Sequence, residues 1–318
     1  MSPFDDLVLR LVLTFLAMGG WVSIIVIATE KHGGKLGGFL VGIPSTSALS
    51  FFFTGLYVSP SAASNATNVF PVFMSLAGIM LLCFGFAARR GFAFGLILSI
   101  SLWFFMSFLV VYSEFNDFQL SLALSLAVSL IVYYGFRWGL KPGSAGKTKP
   151  RHTKHIFLIR FVCTGSVVAL AVLMGQLGVP IMSGMLAAFP VLTIASLIAV
   201  QRDEGSGGTI QARGMTMSMT VSIMVISIPY SVAVHYLYPS IGIIYGTVVS
   251  FAVAIAIGIP YYFFVEDRLV PAFDPQTDMK LPIKGPKGKG TRENERSTPY
   301  ARFKATFLFK LLHWVTKI

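Results

Sequence analysis

Charge is what this chain has least of. Asp, Glu, Lys and Arg make up only 12% of its 318 residues, against 55% hydrophobic ones, and mean hydropathy is +0.74. Soluble domains carry about a quarter charged residues, so a water-soluble fold is excluded and the chain reads as a polytopic membrane protein. Cysteine is scarce too. Cys83 and Cys163 both fall in apolar runs with no His or Asp at ligand spacing, which excludes a disulfide framework or a metal site built on them. A Gly-rich phosphate loop, a His-Glu metal helix and a Ser–His–Asp set at membrane depth are all missing, so no enzyme and no cofactor are expected. Repeated filter segments and charge rings, which a channel would use, are missing as well. No cleavable signal peptide is read. Asp5 and Asp6 precede the first apolar run and no small-residue cleavage site follows it, so that run is expected to be a permanent span.

What is there in quantity is apolar length. A bilayer core about 30 Å thick needs roughly 20 apolar helical residues. Windows of that kind fall near 7–28, 37–57, 68–88, 91–112 and 118–136, then 156–175, 180–200, 212–236 and 240–264. The expected fold is therefore an all-α polytopic membrane protein with nine transmembrane helices. The net charge of +12 is concentrated in connections and a tail beside these spans. Lys31, Lys35, Arg89, Arg90, Arg202 and the cluster from Arg137 to Lys154 mark cytoplasmic loops by the positive-inside rule. They predict an outer N-terminus and a cytoplasmic C-terminus in a prokaryotic plasma membrane, and they argue against nucleic acid as partner.

The basic, Gly- and Pro-containing stretch 137–155 reads as a cytoplasmic linker between a first half, 1–136, and a second half, 156–264. An offset of 146 residues aligns the halves over positions 15–50. Phe15, Gly19, Val22, Val26, Gly38, Leu40, Pro44 and Ser50 meet Phe161, Gly165, Val168, Val172, Gly184, Leu186, Pro190 and Ser196. Five spans precede the second half, so it enters the membrane the other way up. The chain is thus expected to hold two inverted-topology halves of five and four spans, an arrangement that builds a two-gated structure around a central site.

The aligned motifs are Gly37–Ser50 and Ser183–Ser196, two apolar segments each broken by a proline. Proline removes a helical hydrogen bond, and the freed carbonyl needs a partner in lipid. Pro44, Ser45, Thr46, Ser47, Pro190, Thr193 and Ser196 are the candidate substrate-binding residues, although membrane helices also carry prolines that only kink them. Ser227-Ile-Pro-Tyr230 is a third interruption and adds Tyr230, with His235 beyond it. Glu30 and His32 at one broken helix, and Arg202, Asp203 and Glu204 at the other, are gate or coupling candidates; ordinary interfacial ion pairs are the simpler reading. Glu30 is the carboxylate expected to serve if protons drive transport. Arg160 lies about one turn into a span, from where it snorkels to the interface. Asn65-Ala-Thr67 is a glycosylation triplet in a loop too close to lipid to accept a glycan readily.

Gly184, Phe189-Pro190, the polar turn 201–205 and Ser227-Ile-Pro-Tyr230 before a last apolar span resemble the GlpM-like family of small bacterial membrane proteins. The resemblance covers about residues 157–262, with a weaker echo in 37–50, and implies a drug/metabolite-transporter-like fold in duplicated form. The extra span of the first half departs from that pattern. The expected function is a secondary transporter for a small, weakly polar solute. The competing expectation is a non-transporting accessory subunit of envelope lipid or polysaccharide assembly. Its docking segment would be the tail, 265–318, where Phe303, Phe307, Leu311, Trp314 and Val315 alternate with lysines as in a helix lying on anionic lipid. Homo-oligomerisation is left open.

Overall fold

The computed structural model describes residues 3–32, 44–140, 154–204 and 208–261; the side chains of 3–4, 23–32, 140, 154–157, 159–160, 199, 202–204 and 210–211 lie outside the description. All described residues belong to one compact unit, Met1–Phe273. Most of the expected linker and the whole amphipathic tail, 265–318, lie outside the described residues.

Every described element is a helix. They are α1 (Pro3–His32), α2 (Ser45–Tyr57), α3 (Pro60–Ala66), α4 (Phe70–Ala87), α5 (Phe92–Tyr112) and α6 (Phe118–Gly135). After these come α7 (Lys154–Gln176), α8 (Pro180–Ala187), α9 (Val191–Glu204), α10 (Gly208–Ser222), α11 (Ile228–Ile241) and α12 (Ile243–Pro260). Among the described residues six stretches are long and apolar enough to cross a membrane: Pro60–Ala87, Phe92–Tyr112, Phe118–Gly139, Pro180–Ile198, Ala212–Ile241 and Ile243–Pro260. That is compatible with an integral membrane protein. Of the other expected spans, 37–57 is described only from Pro44, and the apolar part of α7 is the shorter Phe161–Gln176.

Local chemistry moves several boundaries. The connection 58–67, read as a loop, contains α3, because Ser59 caps it by accepting from Ala62 N (3.0 Å) and Pro60 takes the first position. Helix α3 stacks end-on under α4. The stretch 212–236 is longer than expected, running Ala212–Ile241. Helices α10 and α11 run as one rod through a π-helical turn at Ile223–Ser227. Pro229 follows two residues later and lacks the N–H of a regular ladder, which is the setting in which such a bulge forms. Helix α6 likewise runs on as a π turn to Leu140, into the expected linker.

Burial separates core from periphery. The rods 60–87 and 212–241 are 78% buried over their most apolar windows, whereas α5, α6 and α12 are 22% buried. Helices apolar on every side must be covered on every side, and the outer three do the covering. They turn Phe105, Phe108, Ile131 and Ile244 outward, as lipid-facing helices do. The two rods pack antiparallel. Thr67 meets His235 at one end, Gly78 faces Thr220 and Met224 at the crossing, and Arg213 meets Gly85 at the other end. Helices α1 and α7 are antiparallel too. The Phe15 and Phe161 rings lie 5.4 Å apart edge to face, with Phe161 over Gly19 and Phe15 over Gly165.

Helices α5 and α12 each fold back on the rod before them through a glycine with positive φ, Gly91 (φ 147°) and Gly242 (φ 80°). Both then bury a stripe of four positions at four-residue spacing: Gly95, Ser99, Trp103 and Ser107, and Gly246, Ser250, Ala254 and Gly258. A Cβ on Gly91 or Gly242 would meet nothing within 4 Å, so alanine there costs only backbone strain, about 1–3 kcal/mol for a region that is essentially glycine's own. Gly91→Ala and Gly242→Ala should each lower the melting temperature of the detergent-solubilised protein. Equal melting to the parent chain would remove these glycines as the hairpin determinants.

Polar contacts sort the connections into two ends. At one, Arg89 donates to Gly139 O (3.3 Å) and Arg213 to Gly85 O (2.8 Å); this is the basic end. At the far end Arg10 donates to Tyr57 O (3.1 Å) and pairs with Asp6 (2.6 Å), Asn68 donates to Asn116 (3.1 Å), and Gln176 shares an open depression with Arg10 and Tyr57.

Candidate functional site

The second broken helix stops rather than kinks. Helix α8 ends at Ala187, and Leu186 O, which a residue at 190 would normally serve, accepts from Phe189 N (3.1 Å) instead. A tightened last turn thus satisfies the carbonyl that proline cannot reach. Helix α9 restarts with Ile194 N on Pro190 O (3.0 Å), as α2 starts with Ala48 N on Pro44 O (2.8 Å). The hydroxyls expected to repair the break are used otherwise. Ser47 donates to Pro44 O (3.3 Å) and Ser196 to Leu192 O (2.7 Å).

Pro44 and Pro190 come together. They line one cavity of ≈ 30 Å³ with Thr46, Ser47, Thr193, Ala188, Phe189, Val191 and Leu192; the rods add Met74, Ala77, Ile223 and Ser227. Four pairs in this wall stand 146 residues apart: Pro44 with Pro190, Thr46 with Leu192, Ser47 with Thr193, and Ala77 with Ile223. Three residues contributed by the rods were not foreseen, Met74, Ala77 and Ile223, because the motif alignment stopped at Ser50 and Ser196. Ser227 comes from the π turn, the kind of irregularity that recurs at functional positions. Ser45, Ser196 and Tyr230 do not line the cavity. Ser45 is buried, its hydroxyl without a partner among the described residues, and Tyr230 is buried against the Phe251 ring at 5.5 Å.

Among the described residues the wall holds hydroxyls, methyls, rings and backbone, and no charged side chain. Such a lining suits an uncharged solute with a few hydrogen-bonding groups. Its volume admits about one water molecule, far less than the several hundred Å³ of an open ligand pocket. Phe189 closes one flank. Its ring sits 5.0 Å from Trp103 and 5.4 Å from Phe104, and Phe104 is about half exposed on the outer face. Of the gate candidates, Glu30 and His32 are in α1 and Arg202, Asp203 and Glu204 in α9, but their side chains lie outside the described residues. Among the described residues no group of three His, Cys, Asp or Glu side chains is placed to hold a metal ion.

Sequence reasoning missed two further elements near the site. Arg213 stands at the second position of an expected span, where a charge inside an apolar window was the signal to follow. Ser64 and Thr67, read only as a loop and half of a sequon, are buried and bind His235. Comparison with family models, curated proteins and solved structures finds no match for this chain.

Proposed function

We propose that this protein is a secondary transporter of a small, uncharged or weakly polar solute, built from two inverted halves. The observation that carries the reading is the cavity between Pro44 and Pro190, uncharged among the described residues and walled by four residue pairs that share one sequence offset. Two features support the inverted halves: the equivalent rods and the equivalent α1 and α7 pack antiparallel, and Gly91 and Gly242 open equivalent hairpins. Nine crossings with the basic end in the cytoplasm, in a prokaryotic plasma membrane, accommodate every polar end contact. The binding residues in this reading are Thr46, Ser47 and Thr193, with Pro44 and Pro190 setting the breaks. The GlpM-like resemblance is of a piece with it, but rests on its own motif residues alone.

The test is uptake of radiolabelled small neutral solutes, such as polyols and short amides, into proteoliposomes. A solute taken up by the parent chain should lose about tenfold in rate in Thr46→Val with Thr193→Val, since each lost hydroxyl removes about 0.5–1.5 kcal/mol of hydrogen bonding. Two results would overturn the reading: no solute entering faster than into protein-free liposomes, or unchanged uptake in the double variant.

A further inference from the structure

We infer that the two central rods carry a matched pair of clasps, one at each end, and that these hold the two gates of the transporter shut. The inference rests on the transport reading for its purpose and on geometry for its existence. At the far end Pro239 lacks the N–H that would serve His235 O in a regular helix. Ser64 Oγ of α3 donates to that orphan carbonyl at 2.8 Å. The Thr67 hydroxyl spends its single hydrogen on Ser64 O at 2.6 Å. The 3.0 Å contact between Thr67 Oγ1 and His235 Nδ1 therefore has the imidazole N–H as its donor. Phe118 of α6 stacks on the imidazole at 3.8 Å and 4°, which fixes the ring from its other side.

At the basic end the same construction recurs with other residues. Helix α4 stops at Ala87, and Arg89 N bonds Phe86 O rather than Gly85 O. Arg213 of α10 reaches across to that carbonyl, Nε to O, at 2.8 Å. Arg213 lies 146 residues after Thr67, the offset that relates Pro44 to Pro190. In each clasp, then, a side chain near the start of one rod donates to a carbonyl that the other rod has left unserved. Each clasp joins a helix of the first half to a helix of the second. Between them Gly78 and Met224, again 146 apart, face each other at the crossing. With both clasps made, the cavity beside that crossing keeps its ≈ 30 Å³, too little for a solute. Opening one clasp lets the rods swing about the crossing and exposes the cavity to that side alone.

The experiment reads access to the cavity and needs no solute. In the full chain with Cys83→Ser and Cys163→Ser, Ala77→Cys places a thiol on the cavity wall, and a charged, impermeant methanethiosulfonate is applied to right-side-out and inside-out vesicles. Ser64→Ala with Thr67→Val should speed labelling about fivefold or more from the far-end side only, the factor that 1 kcal/mol confers on a population. Arg213→Met should do the same from the basic side only. Thr67→Ser, which keeps the hydroxyl, should label like the parent. If either strong variant loses its monodisperse elution, Thr67→Val and Arg213→Lys are read in its place. Acceleration on both sides or on the opposite side, or no acceleration in a folded variant, overturns the clasps. Side-specific labelling with no solute uptake would leave the clasps standing and remove transport; uptake with side-blind labelling would do the reverse.

Discussion

Gly184→Ala should be the most damaging single methyl group that can be placed on a described glycine. A Cβ there would overlap the Ala66 carbonyl oxygen and come within 3.0 Å of Val69 Cγ2. The obstacle is backbone at the joint between α3 and α4, so relief requires moving a rod that is buried along its length. Overpacking of a tight core costs about 1–3 kcal/mol and sometimes more, and a rigid obstacle puts this site at about 3 kcal/mol or above. Gly78→Ala is the control. Its Cβ would overlap the Met224 terminal methyl, which can swing aside, so a loss below about 1.5 kcal/mol is expected from so adaptable a side chain. Gly20→Ala meets nothing within 4 Å and should be neutral, or stabilising by up to about 1 kcal/mol for a helical glycine. Thermal unfolding of the three variants in one detergent gives the ranking. Gly78→Ala proving worse than Gly184→Ala would mean that Met224 is held more rigidly than the backbone at Ala66.

Gly184 also shows what the sequence made legible. It matches Gly38 in the alignment of the halves, as Pro190 matches Pro44, because glycine and proline are demanded by backbone geometry that few other residues supply. Features of that kind can be read by such an alignment. The apolar rods could be read as well, since a buried helix leaves a long unbroken apolar run: the windows 68–88, 91–112, 118–136, 180–200, 212–236 and 240–264 each fall on a helix long and apolar enough to cross a membrane. The remaining correspondence could not be read from residue identity. At the crossing the paired positions are glycine and methionine, because two residues that touch must be complementary in size rather than alike. At the clasps the aligned pair is threonine and arginine, which play different parts: Thr67 accepts from His235 beside the donating Ser64, whereas Arg213 itself donates to the orphan carbonyl. In the proposed inverted repeat the offset grows from 146 to 151 at Gly91 and Gly242, which an ungapped alignment misses, and the π turn at Ile223–Ser227 falls in the longer of the two stretches.

The candidate site was half legible for the same reason. Pro44, Thr46, Ser47, Pro190 and Thr193 are gathered in one cavity wall, and each sits at or just after a break the sequence announces. Ser45 and Ser196 belong to the same motifs but point elsewhere, since successive helical positions are about 100° apart and one face cannot present them all. Ala77, Ile223 and Met74 carry no chemical signal. They are ordinary core residues whose part in the wall depends on which rod lies behind the breaks.

Paired substitutions between α1 and α7 should show a sharp asymmetry inside an otherwise reciprocal contact. Phe161 covers Gly19, and Phe15 covers Gly165, so the two sites look equivalent. At Gly19 all three nearest atoms to an added Cβ belong to the Phe161 ring, at 2.5–2.6 Å. At Gly165 the Phe15 ring is at 2.7 and 2.9 Å, but the Phe15 carbonyl oxygen is also at 2.9 Å. Gly19→Ala should therefore destabilise by about 1–3 kcal/mol, and Phe161→Leu should recover most of that loss in the double variant. Gly165→Ala should destabilise similarly, yet Phe15→Leu should recover little, because shortening the side chain leaves the carbonyl in place. A double-mutant cycle on each pair isolates the coupling, which for residues in contact is about 0.5–3 kcal/mol. Strong coupling for Gly19 with Phe161 and weak coupling for Gly165 with Phe15 is the expected pattern. Equal coupling in both pairs would place the Phe15 backbone farther from α7 and make the contact a purely side-chain one. Rescue in neither pair would mean that α1 and α7 are held apart by atoms other than these rings, and their antiparallel packing would then lose its closest contact.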